Sequence, residues 1–395
     1  MSDLAKQIVS AVRHVVGQRD EFTLLHGPYL PPNAWAYTKE CLDTGWVSSA
    51  GQFVTRFEEE LADFVGCRRA VAVVNGTAAL EMCFRLSGVE AGNEVICPSL
   101  TFVATANAIS HCGAVPHFVD VEPSTMGLCP DALGNRLDEI GERRGGIVVN
   151  RSTGRQISAV CAMHCFGYPA RLDELGQVCK TWGIPLVEDA AESLGSFYHD
   201  VHTGRRSKLS AVSFNGNKII TTGGGGAILT DDDQLADLAK HLTTTAKTSH
   251  KWEFHHDEVA WNYRMPNVNA AIGCAQLEQL PAILRAKREL HERYRAAMEP
   301  IDGVDLLSDP PGCSSNHWLN CLVLSVSCAG ARDGVLEELN AAGLQSRPLW
   351  QPMHCLPMFK NSSAGPLEVT DSLYHRCINV PSSSYLVEGL GATVE

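Results

Sequence analysis

The 395-residue sequence predicts an α/β protein, a large domain built on a mainly parallel sheet followed by a smaller α+β domain. Two observations carry that prediction. Between about residues 54 and 245, short apolar runs alternate with helical patterns, as in parallel strands covered on both faces. Near residue 280 the alternation stops, and Pro281–Met298 reads as one long, charged amphipathic helix. The expected division is 1–280 for an N-terminal arm and the large domain, and 281–395 for the small C-terminal domain.

The elements follow in order. Leu4, Ile8, Val12 and Val15 fall on one helical face, and Lys6 and Arg13 break any signal-peptide core. Ala70–Val74 is an apolar run ending at Asn75-Gly76-Thr77, and Ala78–Leu86 is helical. Glu94–Cys97 reads as a strand, Phe102–Ser110 as a helix and Val115–Val119 as a strand. Further strands are expected at Ala159–Cys165, Pro185–Glu188, Ser210–Phe214 and Ala227–Thr230. After the long helix come a strand at Trp318–Val326, a helix at Asp333–Ala342 and an extended segment at Leu344–Trp350.

Composition narrows the function. The net charge is −13, which opposes binding to nucleic-acid backbones and anionic membranes. No apolar run approaches the roughly 18 residues of a membrane span. The fifteen cysteines include no Cys-x-x-Cys pair, so reduced thiols in the cytoplasm are expected. Cys161, His164 and Cys165 lie close together, but no second cluster completes a metal site, and no metal is expected.

Three features carry chemistry. Lys218 follows a strand in Ser213-Phe214-Asn215-Gly216-Asn217-Lys218 and precedes Thr221-Thr222-Gly223-Gly224-Gly225-Gly226. Ile219 and Ile220 after the lysine rule out a P-loop, and no Gly-x-Gly-x-x-Gly joins a strand to a helix. Asp189 ends the apolar run Pro185–Val187, where a charge needs a partner. A protonated pyridine nitrogen would serve, and an N-cap role is an equal alternative. Gly76, Thr77 and Ala78 open a helix whose N–H groups suit a phosphate, or form an ordinary cap.

Together these are the parts of a pyridoxal 5'-phosphate site, and the chain resembles the DegT/DnrJ/EryC1/StrS sugar aminotransferases of fold type I. The resemblance runs from about Leu25 to Leu386. It rests on Asn-Gly-Thr-Ala-Ala-Leu (75–80), Thr-Phe-Val-Ala-Thr (101–105), Glu-Asp-Ala-Ala-Glu (188–192), Ser-Phe-Asn-Gly-Asn-Lys (213–218) and Asn-Tyr-Arg-Met (262–265). It implies that Lys218 binds the cofactor covalently and shuttles the proton. It implies Asp189 at the pyridine nitrogen, Glu192 near the phenolic oxygen and Phe102 on the ring. Gly76, Thr77, Ala78 and Ser213 would hold the phosphate. Asn262 would reach the cofactor of a neighbouring subunit, which implies a homodimer with shared sites.

Family members with histidine in place of the lysine are dehydratases, and Lys218 favours transamination. Substrate contacts are assigned to Ser48, His164, Arg347 and His354. For His164 a hydrogen-bonded structural role is equally open, and for Arg347 a surface ion pair. Gly-Trp-Val-Ser-Ser (45–49), Leu-Thr-Thr-Thr-Ala-Lys (242–247) and Arg-Pro-Leu-Trp (347–350) resemble the legionaminic-acid and bacillosamine 4-aminotransferases. The resemblance implies L-glutamate as donor and a UDP-linked 2-acetamido-4-keto-6-deoxy hexose as acceptor. The alternatives are GDP-4-keto-6-deoxymannose, as in perosamine synthesis, a lyase, or a non-catalytic pyridoxal-phosphate binder or regulator.

Overall fold

Seven strands form the central sheet of the computed structural model, which describes residues 3–17 and 22–387. In chain order they are β1 (Arg69–Val73), β2 (Glu94–Pro98), β3 (Val115–Val119), β4 (Ile157–Met163), β5 (Leu186–Asp189), β6 (Leu209–Ser213) and β7 (Gly226–Thr230). Their spatial order is β1-β7-β6-β5-β4-β2-β3. The pairs β6–β5, β5–β4, β4–β2 and β2–β3 are parallel, and β7 runs antiparallel between β1 and β6. Each strand lies within a residue or two of its expected position.

Side-chain alternation fills both faces of the sheet. Strand β1 sends Val71 and Val73 against Leu80, Met82, Ala236 and Ala239 from the helices Gly76–Leu86 and Asp233–Thr243. It sends Ala70 and Ala72 to the other face, with Phe57 and Leu61 of the helix Gln52–Val65. Farther along that sheet, Ile96, Val160 and Ala162 meet Leu133, Leu137 and Leu175 of the helices Pro130–Ile140 and Leu172–Trp182. Each such aliphatic side chain contributes about 1.5–3 kcal/mol by burial.

The second region differs from expectation at its start. The long helix spans Asn267–Met298, with Pro281 inside it rather than at its first residue. The expected division between residues 280 and 281 therefore falls within one continuous helix. Ala271, Cys274 and Leu277 from its first half pack on the large sheet, and Leu290, Tyr294 and Met298 pack on the small one. Proline commonly ends a helix, because it lacks the N–H donor; here packing on both sides carries the helix through. The N-terminal helix Asp3–Val16, expected with the large domain, buries Ile8, Val12 and Val15 against Leu290, Leu339 and Ile378. Periodicity shows which face is buried and not what covers it.

The small sheet is antiparallel, ordered Val304–Leu306, Asn320–Leu324, Cys377–Val380, Arg347–Pro348. The extended segment expected over Leu344–Trp350 contributes only Arg347–Pro348 to it. All fifteen cysteines are free. No described helix is long and apolar enough to cross a membrane.

One close approach ties the sheet to the site. A Cβ on Gly226 would lie 2.5 Å from the carbonyl carbon of Asn75 and 2.6 Å from the nitrogen of Gly76. Those contacts are backbone and cannot swing away. Gly226→Ala is expected to lower unfolding free energy by about 1–3 kcal/mol in urea titration. A variant as stable as the parent would contradict this packing.

Candidate active site

The parallel strands β1, β2, β4, β5 and β6 share one direction, so their carboxyl ends meet along one edge of the sheet. Ligands bind at that edge in such folds. A cleft of about 320 Å³ opens there, lined by Gly76, Thr77, Phe102, Asp189, Ser213 and Lys218, together with Glu192, Trp318 and Trp350. Of the seventeen residues that line it, seven are candidates expected from the sequence: Gly76, Thr77, Phe102, Asp189, Glu192, Ser213 and Lys218.

The loop after β1 builds an anion cradle. Asn75 caps the helix Gly76–Leu86, its Oδ1 accepting from the Ala78 N–H at 2.8 Å. The N–H groups of Gly76 and Thr77 lie in the helix's first turn, where no intrahelical acceptor exists. A Cβ on Gly76 would sit 2.7 Å from the Ser213 Cβ, so the absence of a side chain brings the Ser213 hydroxyl to the same spot. Ala78, expected as a third phosphate contact, is corrected by this geometry. Its N–H belongs to Asn75, and it is buried outside the cleft lining.

Asp189 ends β5 and faces the cleft. Its Oδ2 accepts from the Thr105 hydroxyl at 2.8 Å, and Thr105 Oγ1 lies 2.7 Å from Thr101 Oγ1. Its Oδ1 accepts from the Ala191 N–H at 3.2 Å. Burial holds the Asp189 carboxyl above the usual carboxylate range, against the pull of these two hydrogen bonds. A carboxylate so placed lacks a full counter-charge, and a cation on a ring nitrogen would supply one. Burial, and then Asp189, keep the Cys83 and Cys97 thiols beneath it neutral.

Lys218 approaches from the loop after β6 and is 8% exposed. Its Nζ lies 3.1 Å from Glu192 Oε1 and 4.1 Å from the centroid of the Trp318 ring. Glu192 Oε2 accepts from the Phe166 N–H at 2.9 Å. Burial pushes the Glu192 carboxyl up, and Lys218 is the main influence pulling it back. Phe102 is the N-cap of the helix Val103–His111 rather than its first helical residue. In that extended conformation its ring stays 47% exposed over the cleft, edge-on to Trp350 at 6.2 Å.

Five expected contacts lie elsewhere. His164 is fully buried, its Nδ1 accepting from the Ala170 N–H at 3.1 Å and its Nε2 paired with Glu188 at 3.1 Å. That is the structural alternative left open by the sequence. His354 pairs with Ser99 at 2.8 Å and with Asp371 at 3.5 Å. Ser48 is exposed, and its carbonyl accepts from the Asn267 N–H. Arg347 is exposed on its strand and makes no ion pair among the described residues. Asn262 is exposed beside Arg264, its Oδ1 accepting at 2.9 Å, and does not line this chain's cleft.

The sequence reading missed Thr105, Trp318 and Trp350. Thr105 carried a usable signal, since it lies in the first turn of a helix that opens at the carboxyl end of β2, beside the site. Trp318 and Trp350 arrive from the C-terminal region; Trp318 opens what reads as a plain strand, and in the Arg-Pro-Leu-Trp motif the attention fell on Arg347 rather than on Trp350.

Comparison with known proteins agrees with this geometry. The family model for DegT/DnrJ/EryC1/StrS aminotransferases matches residues 30–390. The chain is 36% identical over 92% of both sequences to Bacillus subtilis EpsN, assigned as a pyridoxal phosphate-dependent aminotransferase. It is 34% identical to a GDP-perosamine synthase of Vibrio cholerae, over 91% of this chain and 93% of that one. Its fold superposes on the crystal structure of the aminotransferase TlmJ from Streptoalloteichus hindustanus with a TM-score of 0.83 and 28% identity, covering 93% and 94% of the chains. The chain belongs to the DegT/DnrJ/EryC1/StrS aminotransferase family, whose members use pyridoxal phosphate. The cradle, the under-compensated Asp189 and the buried lysine amine fit that cofactor.

The buried aspartate gives stability a pH dependence. Its folded-state pKa is raised above the unfolded value near 3.8, so across that interval the folded chain binds more protons and stability falls as pH rises. Asp189→Asn removes the charged form. The cofactor-free variant is expected to be more stable than the parent at pH 7.5, with the gap narrowing toward pH 4.5. Urea unfolding at both pH values checks this, and a gap that does not change with pH contradicts it.

Proposed function

We propose that this protein moves the amino group of L-glutamate to C4 of a nucleotide-linked 4-keto-6-deoxy sugar. The observation that carries the reading is the meeting of Lys218, Asp189 and the Gly76–Ser213 cradle in one cleft. When bound, the cofactor supplies an electron sink and carries the amino group between the two substrates. Lys218 holds it covalently, and its Nζ takes and returns the migrating proton. Asp189 pairs with the ring nitrogen, Phe102 covers the ring face, and Gly76, Thr77 and Ser213 bind the phosphate. Glu192 orients the lysine amine.

Asn262 is assigned to the cofactor of a neighbouring subunit in a homodimer. Its exposed position outside its own cleft supports this. Trp35, Trp46, Trp252 and Phe254 are likewise exposed, at 72%, 60%, 71% and 81%. Arg347, three residues from the cleft-lining Trp350, remains the candidate for a substrate anion.

Two readings of the acceptor have support. The motifs at 45–49, 242–247 and 347–350 favour the UDP-linked 2-acetamido sugar, the acceptor of legionaminic-acid and bacillosamine synthesis. The relative named GDP-perosamine synthase favours GDP-4-keto-6-deoxymannose. A single-turnover experiment separates them. Purified enzyme is charged with glutamate, freed of excess donor and offered each sugar alone. The amino sugar is expected from the UDP-linked substrate; formation from the GDP-linked one alone selects the second reading. No response to glutamate would overturn the aminotransferase proposal. Lys218→Ala is expected to lose about 10²–10⁴-fold or more in transfer rate.

A further inference from the structure

Trp318 is held by several groups, two of which, the Asn217 peptide and Glu192, also hold the candidate catalytic lysine. Its Nε1–H donates to the Asn217 carbonyl at 2.7 Å, the peptide immediately before Lys218. Its own N–H donates to Asn316 Oδ1 at 2.9 Å, and Asn316 Nδ2 donates to the Glu192 carbonyl at 2.8 Å. Its carbonyl accepts from the Lys287 Nζ at 2.8 Å. Lys287 is fully buried and also donates to the Ser382 carbonyl. His26 stands edge-on behind the indole at 6.3 Å. Burial first, then Lys287 and Lys218, hold that imidazole neutral, so it adds no competing cation.

The backbone is bent to make this arrangement. His317, just before the tryptophan, has φ 48°, and Phe166, which donates its N–H to Glu192 and lies 6.2 Å from the indole, has φ 55°. Bulky residues adopt positive φ rarely, and such angles gather where the surroundings over-determine the geometry. The result is a flat aromatic face, 4% exposed, set 4.1 Å below the lysine Nζ. A cation over an indole face is attracted by the ring's quadrupole, most strongly away from water.

We propose that Trp318 is a positioning residue for Lys218: its ring face and the Glu192 carboxylate keep the lysine ammonium inside the cleft whenever that amine is not covalently engaged. The tryptophan comes from the C-terminal region and the lysine from the large sheet, so the platform also ties the two regions together at the reacting nitrogen. The inference rests on Lys218 being the reactive amine for its meaning, but not for its geometry.

The test uses the full chain without cofactor. Limited acetylation with N-hydroxysuccinimidyl acetate, followed by peptide mapping, gives the labelling rate of Lys218 against the exposed Lys360. Methionine at 318 fills much of the indole's volume without a ring face, and phenylalanine keeps a face. Lys218 is expected to label about five- to tenfold faster in Trp318→Met, with Trp318→Phe within about twofold of the parent. Equal rates in all three proteins would overturn the proposal. Equal acceleration in both variants would do the same, since lost volume would then be the cause.

Fluorinated tryptophan, incorporated biosynthetically, weakens the quadrupole at nearly constant shape and covers the case of a variant that does not fold. Labelling of Lys218 is expected to quicken with fluorine content, and a rate independent of it contradicts the proposal. The assay needs neither substrate nor turnover, so its outcome is separate from that of Lys218→Ala in transfer.

Discussion

Two carboxylates and one ammonium are held out of water at the end of a buried sheet, and the site is organised around that electrostatic constraint. Asp189 and Glu192 are 5% and 3% exposed, and Lys218 is the cation among the residues lining the cleft. Charges in such surroundings cost several kcal/mol each unless they are paired. Glu192 meets the lysine directly. Asp189 has two hydrogen bonds and no ion-pair contact among the described residues; burial dominates its protonation, and Lys218 acts on it only from a distance. A chain that keeps this arrangement keeps a place for a positively charged ring. The family's cofactor brings one.

The sheet explains why these groups meet. Parallel strands deliver their carboxyl ends to one edge, so the turns after β1, β2, β5 and β6 supply cradle, aromatic cover, anion and amine from residues 76 to 218. The C-terminal region completes the enclosure with Trp318 and Trp350. It is docked on the large sheet by Asp120, whose carboxylate accepts from the N–H groups of Val369 and Thr370 at 2.9 and 2.8 Å. The continuous helix Asn267–Met298 spans the same junction. Cleft geometry therefore depends on contacts made far from the reacting atoms.

Much of this was legible in the sequence, for definite reasons. Apolar runs punctuated by turns located the strands. Asp189 and Ser213 close strands and Gly76 and Lys218 stand in the loops that follow strands, so position along the chain placed them at one edge, and the family resemblance supplied their roles. Reading failed where the third dimension decides. Nothing in the sequence around Trp318 announces an aromatic face under a lysine. His164 stands just past a strand end, yet it lies outside the cleft lining and its ring is taken up by Glu188 and the Ala170 N–H. Ala78 belongs to the right motif, but the Asn75 cap takes its donor. Pro281 reads as a helix start, and packing on both sides made it a helix interior.

The central claim is that Lys218 is the nitrogen that binds the cofactor. Borohydride reduction of the cofactor-loaded protein, followed by peptide mapping, tests it most directly. The reduced cofactor is expected on the peptide containing Lys218 and on no other. Its recovery on a different lysine, such as the fully buried Lys287, or its absence from Lys218, would contradict the account.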